Sequence, residues 1–174
     1  MTDRSPAQAL LAERLDGVRD ARQIVLRAPV GTGVVRTLAQ LVTRKAADGL
    51  VLIVSPLNAL LDQWSNVLEQ QPGTEVIHHL TADLALELAS ETSDLPGHGI
   101  LLAARSAIRR GPVGAALRRL NLALMFFDGL PNAAARSEEV DVIRRAQQVI
   151  ILDHKDSPKF PAWLDTNPGP GHPG

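Results

Sequence analysis

Gln23-Ile24-Val25-Leu26-Arg27-Ala28-Pro29-Val30-Gly31-Thr32-Gly33-Val34-Val35-Arg36-Thr37 is the stretch whose reading decides the fold. It starts as a short apolar strand, passes through a glycine-containing turn and opens a helix. A turn of this kind that ends in Gly-Lys-Ser/Thr is a phosphate-binding loop. Here Val34 stands at the lysine position and Val35 at the hydroxyl position. The outline of the loop is kept, while the two side chains that grip phosphate and magnesium are absent.

The same alternation extends outward in both directions. Upstream, Ser5 and Pro6 suit an N-cap and a first helical position. Leu10, Leu11, Leu15 and Val18 then give the apolar face of a helix over 7–20. Downstream, the helix opened at Gly33 runs to about Ala47 and closes near Gly49. The uninterrupted apolar run Leu50-Val51-Leu52-Ile53-Val54 predicts a strand buried on both faces. A helix follows over 56–71, ended by Pro72-Gly73. A weaker strand over 75–80 leads to Thr81 as cap of a helix over 82–91. Strands over 100–104 and 122–127, the latter ending in Asp128, bracket a helical stretch broken around Gly111-Pro112. A helix over 137–147 and a strand over 149–152 complete the order. Strand and helix alternate throughout, which predicts an α/β domain with a parallel sheet flanked by helices on both faces. Residues 1–157 form this domain, and 158–174 read as a Pro/Gly-rich tail without packing periodicity.

Composition narrows the function classes. The chain has 174 residues, is 45% hydrophobic and 21% charged, and contains no cysteine. That length supports one domain with a real core, and disulfides and cysteine metal sites are excluded. A formal net charge of -1 supplies no global field toward nucleic acid or membrane. Aromatic residues make up 3% and tyrosine is absent, so few rings are available for stacking on bases. The apolar runs are too short to span a bilayer, and the N-terminus lacks a signal-peptide pattern. A cytoplasmic protein with no membrane partner is expected.

Taken together, three stretches resemble the first RecA-like domain of the superfamily-two helicases and translocases. The loop of that family typically reads Ala-Pro-Thr-Gly-Ser-Gly-Lys-Thr, beside Ala28-Pro29-Val30-Gly31-Thr32-Gly33-Val34-Val35 here. Its second motif, a proline followed by a leucine-rich turn with Gln-Trp, matches Ser55-Pro56-Leu57-Asn58-Ala59-Leu60-Leu61-Asp62-Gln63-Trp64. Its acidic motif, Asp-Glu-x-His at a strand end, corresponds to Phe126-Phe127-Asp128-Gly129-Leu130-Pro131. The family's Ser-Ala-Thr motif would fall at Asp153-His154-Lys155 and is not kept. The resemblance spans about residues 8–158 and implies a RecA-like P-loop architecture.

The resemblance also implies which parts of the chemistry are missing. Backbone N–H groups of Gly31, Thr32 and Gly33, behind Ala28, still suit an anion. Val34 and Val35 supply neither a charge nor a metal ligand, and Gly129 occupies the place of the glutamate that orients water. Asp128 is the one acidic side chain retained. Arg36 offers substitute charge, against the plainer reading of a solvated first-turn arginine. In the family, ATP lies between two such domains, and the second is not expected here. The resulting expectation is a pseudo-ATPase, not an enzyme, with no bound ATP, magnesium or other cofactor. Such a domain acts through a protein partner in a nucleic-acid-handling assembly.

Three further features bear on partners. Arg105, Arg109, Arg110, Arg118 and Arg119 fall in a segment without Asp or Glu, 95–127. They are candidate contacts to nucleic-acid phosphates, or a solvated helix face. Phe160, Trp163 and Leu164 lie in a proline-spaced segment that suits an anchor for a partner groove, or packing on the domain itself. Trp64, with Leu57, Leu60, Leu61 and Leu68, has helical spacing and reads as core. His78 and His79 are adjacent in a strand and point to opposite faces, so no metal site is expected there.

Overall fold

The apolar runs at 50–54, 100–103, 124–127 and 149–152 are buried on both faces, as in a parallel sheet covered by helices. The computed structural model describes residues Ala9, Ala12, Glu13, Leu15, Asp16, 21–27, 34–56, 58–73, 77–88, 90, 97–108, 111–128 and 143–153. Its strands are β1 (Gln23–Arg27), β2 (Leu50–Ser55), β3 (Ile77–His79), β4 (Gly99–Ala104), β5 (Leu122–Asp128) and β6 (Val149–Asp153). They form a six-stranded sheet in the order β1-β6-β5-β2-β4-β3, with every pairing parallel. The helices are α1 (Val34–Ala46), α2 (Asn58–Glu69), α3 (Ala82–Leu88), α4 (Arg105–Ile108) and α5 (Gly111–Leu117). Ala9, Ala12, Glu13, Leu15 and Asp16 are helical, as is 143–145.

The period-two alternation of the strands divides the core into two layers. Val51, Ile53, Leu102, Phe126 and Ile150 face α1 and α2; Leu52, Val54, Leu101, Phe127 and Ile151 face the other helices. On α1 the buried stripe is Leu38, Ala39, Val42 and Ala46, and on α2 it is Leu61, Trp64 and Leu68. Both stripes follow the helical repeat. Trp64 is thus a core residue, 1% exposed. All six residues of β2 are buried, as its sequence requires.

Helix ends are set by local chemistry. The Leu84 backbone N–H donates to Thr81 Oγ1 at 3.2 Å, which makes Thr81 the cap of α3. Past α2, Gln70 and Gln71 donate to the carbonyls of Val67 and Leu68, and Gly73 takes a left-handed φ of 73°. Pro112 lies in the first turn of α5, where its missing N–H costs nothing. α4 ends at Ile108 and α5 begins at Gly111, with residues 109–110 outside the described residues. β3 falls within the expected strand over 75–80, of which residues 75–76 lie outside the described residues, and both its histidines are exposed.

One irregularity escapes an alternation rule. Leu50 pairs with Leu122 but Val51 pairs with Leu124, so Ala123 is an extra residue in β5. This bulge presses Ala123 toward Gly49, where an added Cβ would lie 2.8 Å from the Ala123 Cβ. Gly49 is required here for close approach. Gly49→Ala is expected to destabilise the fold by about 1–3 kcal/mol, an overpacking cost. Urea denaturation would measure it, and an unchanged midpoint would mean the bulge yields freely.

The tail at 158–174 and most of the expected helix over 137–147 lie outside the described residues, as do Ser5 and Pro6.

Candidate functional site

In a parallel α/β sheet, sites form outside the carboxyl ends of the strands. At that edge β1 ends in Arg27, β6 in Asp153, β5 in Asp128 and β2 in Ser55. Arg27 and Asp153 are partners in the β1–β6 register. β6 separates the strand leading to the glycine loop from the strand ending in Asp128, a gap of two spacings or roughly 10 Å.

Asp128 is 5% exposed. It follows Phe126 by two residues and shares its face, the one covered by α2. Trp64 comes from that helix. Its indole meets the Phe126 ring edge-on, with centroids 5.0 Å apart and planes at 62°. Its Nε1–H donates to Asp128 Oδ2 at 3.0 Å. A Trp N–H buried in a core seeks such an acceptor, and a buried carboxylate needs a donor.

Ser55 lies one residue beyond the Val54–Phe127 pair, alongside the end of β5. It is fully buried, and among the described residues its Oγ has no hydrogen-bond partner. Val34 opens α1, Val35 is half-buried against the α1/α2 core layer, and Arg36 is exposed. No acidic residue stands in the first turn of α1, so its N-terminal dipole keeps its attraction for anions.

The side chains of Val34 and Val35 carry no charge, hydroxyl or metal ligand. One oxygen of Asp128, the remaining candidate for holding the metal, accepts the indole N–H. Among the described residues there is no group of three or more His, Cys, Asp or Glu placed to hold a metal ion.

The remaining predicted residues are dispersed. Ala28, Gly31, Thr32, Gly33, Arg109, Arg110, Phe160, Trp163 and Leu164 lie outside the described residues. Arg105 is half-buried just past the carboxyl end of β4, whereas Arg118 and Arg119 precede the amino end of β5. The parallel sheet therefore puts Arg105 and the Arg118–Arg119 pair at opposite edges. They do not form one patch. A cleft of about 490 Å³ beside α1, lined by Leu15, Asp16, Thr37, Gln40 and Arg44 among others, includes none of the predicted site residues.

The burial of Ser55 and the partner of Trp64 were not legible in the sequence. Ser55 had a faint signal, a polar residue closing an apolar run. The partner of Trp64 had none, because Asp128 is 64 positions away.

No family model matches this chain, and no curated protein matches it. Among solved structures, it is similar to a nuclease-deletion mutant of the Type ISP restriction-modification enzyme LlaGI, determined in complex with a DNA substrate mimic. The TM-score is 0.65 at 15% sequence identity, over 88% of this chain and 18% of that one. The chain therefore spans less than a fifth of that protein's length. The likeness shows the fold alone, an all-parallel α/β sheet with helices on both faces. Among the described residues no helix is long and apolar enough to cross a membrane.

Proposed function

We propose that this chain is a helicase-like domain without nucleotide hydrolysis that serves as an interaction or regulatory subunit of a nucleic-acid-handling assembly. The observation that carries the reading is the pairing of Asp128 with Trp64. An acid that served magnesium would face the glycine loop and water; this one is buried and accepts a hydrogen bond from a core side chain. Val34 and Val35 point the same way, since they remove the charge and the hydroxyl on which phosphoryl chemistry depends. The nucleic-acid context rests on the fold shared with an enzyme solved on a DNA mimic. Phe160, Trp163 and Leu164 are the candidate anchor for a protein partner.

Calorimetric titration with Mg-ATP and Mg-ADP, beside a phosphate-release assay, tests the nucleotide half of this reading. No heat of binding and no release are expected. Saturable binding with a Kd of about 1 μM, some 8 kcal/mol of affinity, would overturn it in favour of a nucleotide-binding protein completed by a partner.

A further inference from the structure

The amino edge of the sheet, opposite the glycine loop, gathers arginines that are far apart in the chain. Arg22 immediately precedes β1, Arg118 and Arg119 precede β5, and Arg144 and Arg145 precede β6. These three strands are neighbours in the sheet. Their starts are tied by backbone hydrogen bonds, Val149 N–H to the Arg22 carbonyl at 2.7 Å and Gln147 N–H to the Leu122 carbonyl at 2.9 Å.

Side chains stiffen the frame. Arg22 Nη2 donates to the Arg144 carbonyl, and Arg145 Nη1 donates to the Arg118 carbonyl at 3.2 Å. Gln147 Nε2 donates to Asn121 Oδ1 at 3.1 Å, and buried Gln148 reaches the Ala21 carbonyl at 2.8 Å. The Arg22, Arg145 and Gln148 bonds go to backbone carbonyls, as does that from Arg118 Nε to the Gly114 carbonyl at 3.3 Å. Arg119, Arg144 and Arg145 are exposed. Of the described carboxylates at this end of the sheet, Asp48 before β2 and Glu69 at the end of α2 belong to the β2 and β4 side, and Asp16 lines the cleft beside α1 with Arg44.

We propose that this edge, across β1, β6 and β5, is a docking face for the phosphate backbone of duplex DNA. The inference rests on the reading of the chain as part of a nucleic-acid-handling assembly and names the surface that would serve it. Every cation of the cluster is arginine, whose planar fork pairs with two oxygens of one phosphate. The three strand starts span about 10 Å, or roughly three phosphates along one strand of a duplex. A protein partner would want an apolar or aromatic anchor at the centre of its footprint. The exposed large apolar side chains among the described residues are Val25, in the middle of β1, and Leu86 on α3. Neither lies on this edge. Phosphate-backbone binding needs no such anchor.

Fluorescence anisotropy of a labelled duplex with the full chain tests the proposal, between about 50 and 200 mM salt. Binding at low salt is expected, with log K falling against log salt at a slope of about -2.7 for three phosphates. Arg119→Glu with Arg144→Glu is expected to weaken binding at least about tenfold and flatten that slope. Neither side chain takes part in the hydrogen-bonded frame described above, and circular dichroism confirms that the fold is kept. Arg36→Glu, at the opposite edge, is expected to change binding less than about twofold. Equal losses from Arg36→Glu and Arg144→Glu would overturn the proposal, as would absence of binding at low salt. Displacement by polyglutamate at matched charge would overturn it too, making the face one for an acidic protein. Failure here leaves the calorimetric test of nucleotide loss untouched, so the two readings fail separately.

Discussion

Trp64→Ala is expected to remove about 3–5 kcal/mol of stability, the usual cost of truncating a large buried aromatic side chain. That is a large share of the 5–15 kcal/mol that holds a typical domain folded. Three terms converge at this position. The ring is 1% exposed within the layer between α2 and the sheet. It packs edge-on against Phe126 at 5.0 Å, and its N–H satisfies Asp128 at 3.0 Å. Trp64→Phe isolates the last term by keeping an aromatic ring while deleting the donor. It is expected to cost about 1–3 kcal/mol, because a buried carboxylate oxygen loses the indole donor. Urea denaturation of the single variants and of Trp64→Phe combined with Asp128→Leu completes the cycle. A loss for Trp64→Phe that stays the same without Asp128 would show that the cost is packing and not the hydrogen bond.

The second large effect is a gain. In Val34→Lys with Val35→Thr, Mg-ATP binding is expected to appear where the natural chain gives no heat. Lysine would restore the charge on the terminal phosphates, and threonine the hydroxyl that meets magnesium. Threonine has nearly the shape of valine, and Val35 is only half-buried, so the fold should tolerate it at about 1 kcal/mol. The helix N-terminus is already free of carboxylates that would repel phosphate. Hydrolysis is not expected to return, because Gly129 offers no side chain to orient water. Calorimetry beside phosphate release separates the two outcomes. If the double variant binds nothing, the defect lies deeper than two side chains, with the Trp64–Asp128 pair the first place to look.

Much of the architecture was legible because it depends on local pattern. The apolar run at Leu50 could only be a strand covered on both faces. The stretch from Gln23 to Thr37 announced strand and helix on either side of its glycines. Leu61, Trp64 and Leu68 announced a buried helical stripe, and Thr81 announced a cap. Each of these rests on interactions within a few residues, or on a periodicity that any covered sheet imposes. The bulge at Ala123 was not legible: nothing in the strand marks the extra residue, and only the facing Gly49 shows why it is accommodated.

The site divides along the same line. By itself the sequence determined which groups positions 34, 35 and 129 lack, since valine and glycine carry no charge, hydroxyl or carboxylate whatever the fold does with them. Arginines at 22, 118, 119, 144 and 145 are likewise fixed by sequence. Tertiary structure alone decided which of them meet. Arg105 and Arg118 are close in sequence, yet a strand running one way and the helices returning the other carry them to opposite edges. Arg22, Arg118 and Arg144 are distant in sequence, yet they share an edge because β6 inserts between β1 and β5. The partner of Asp128 was settled in the same way, by α2 laying Trp64 over the end of β5. A hydrogen bond or a shared field depends on distance in space, and in a parallel sheet the crossover order sets that distance.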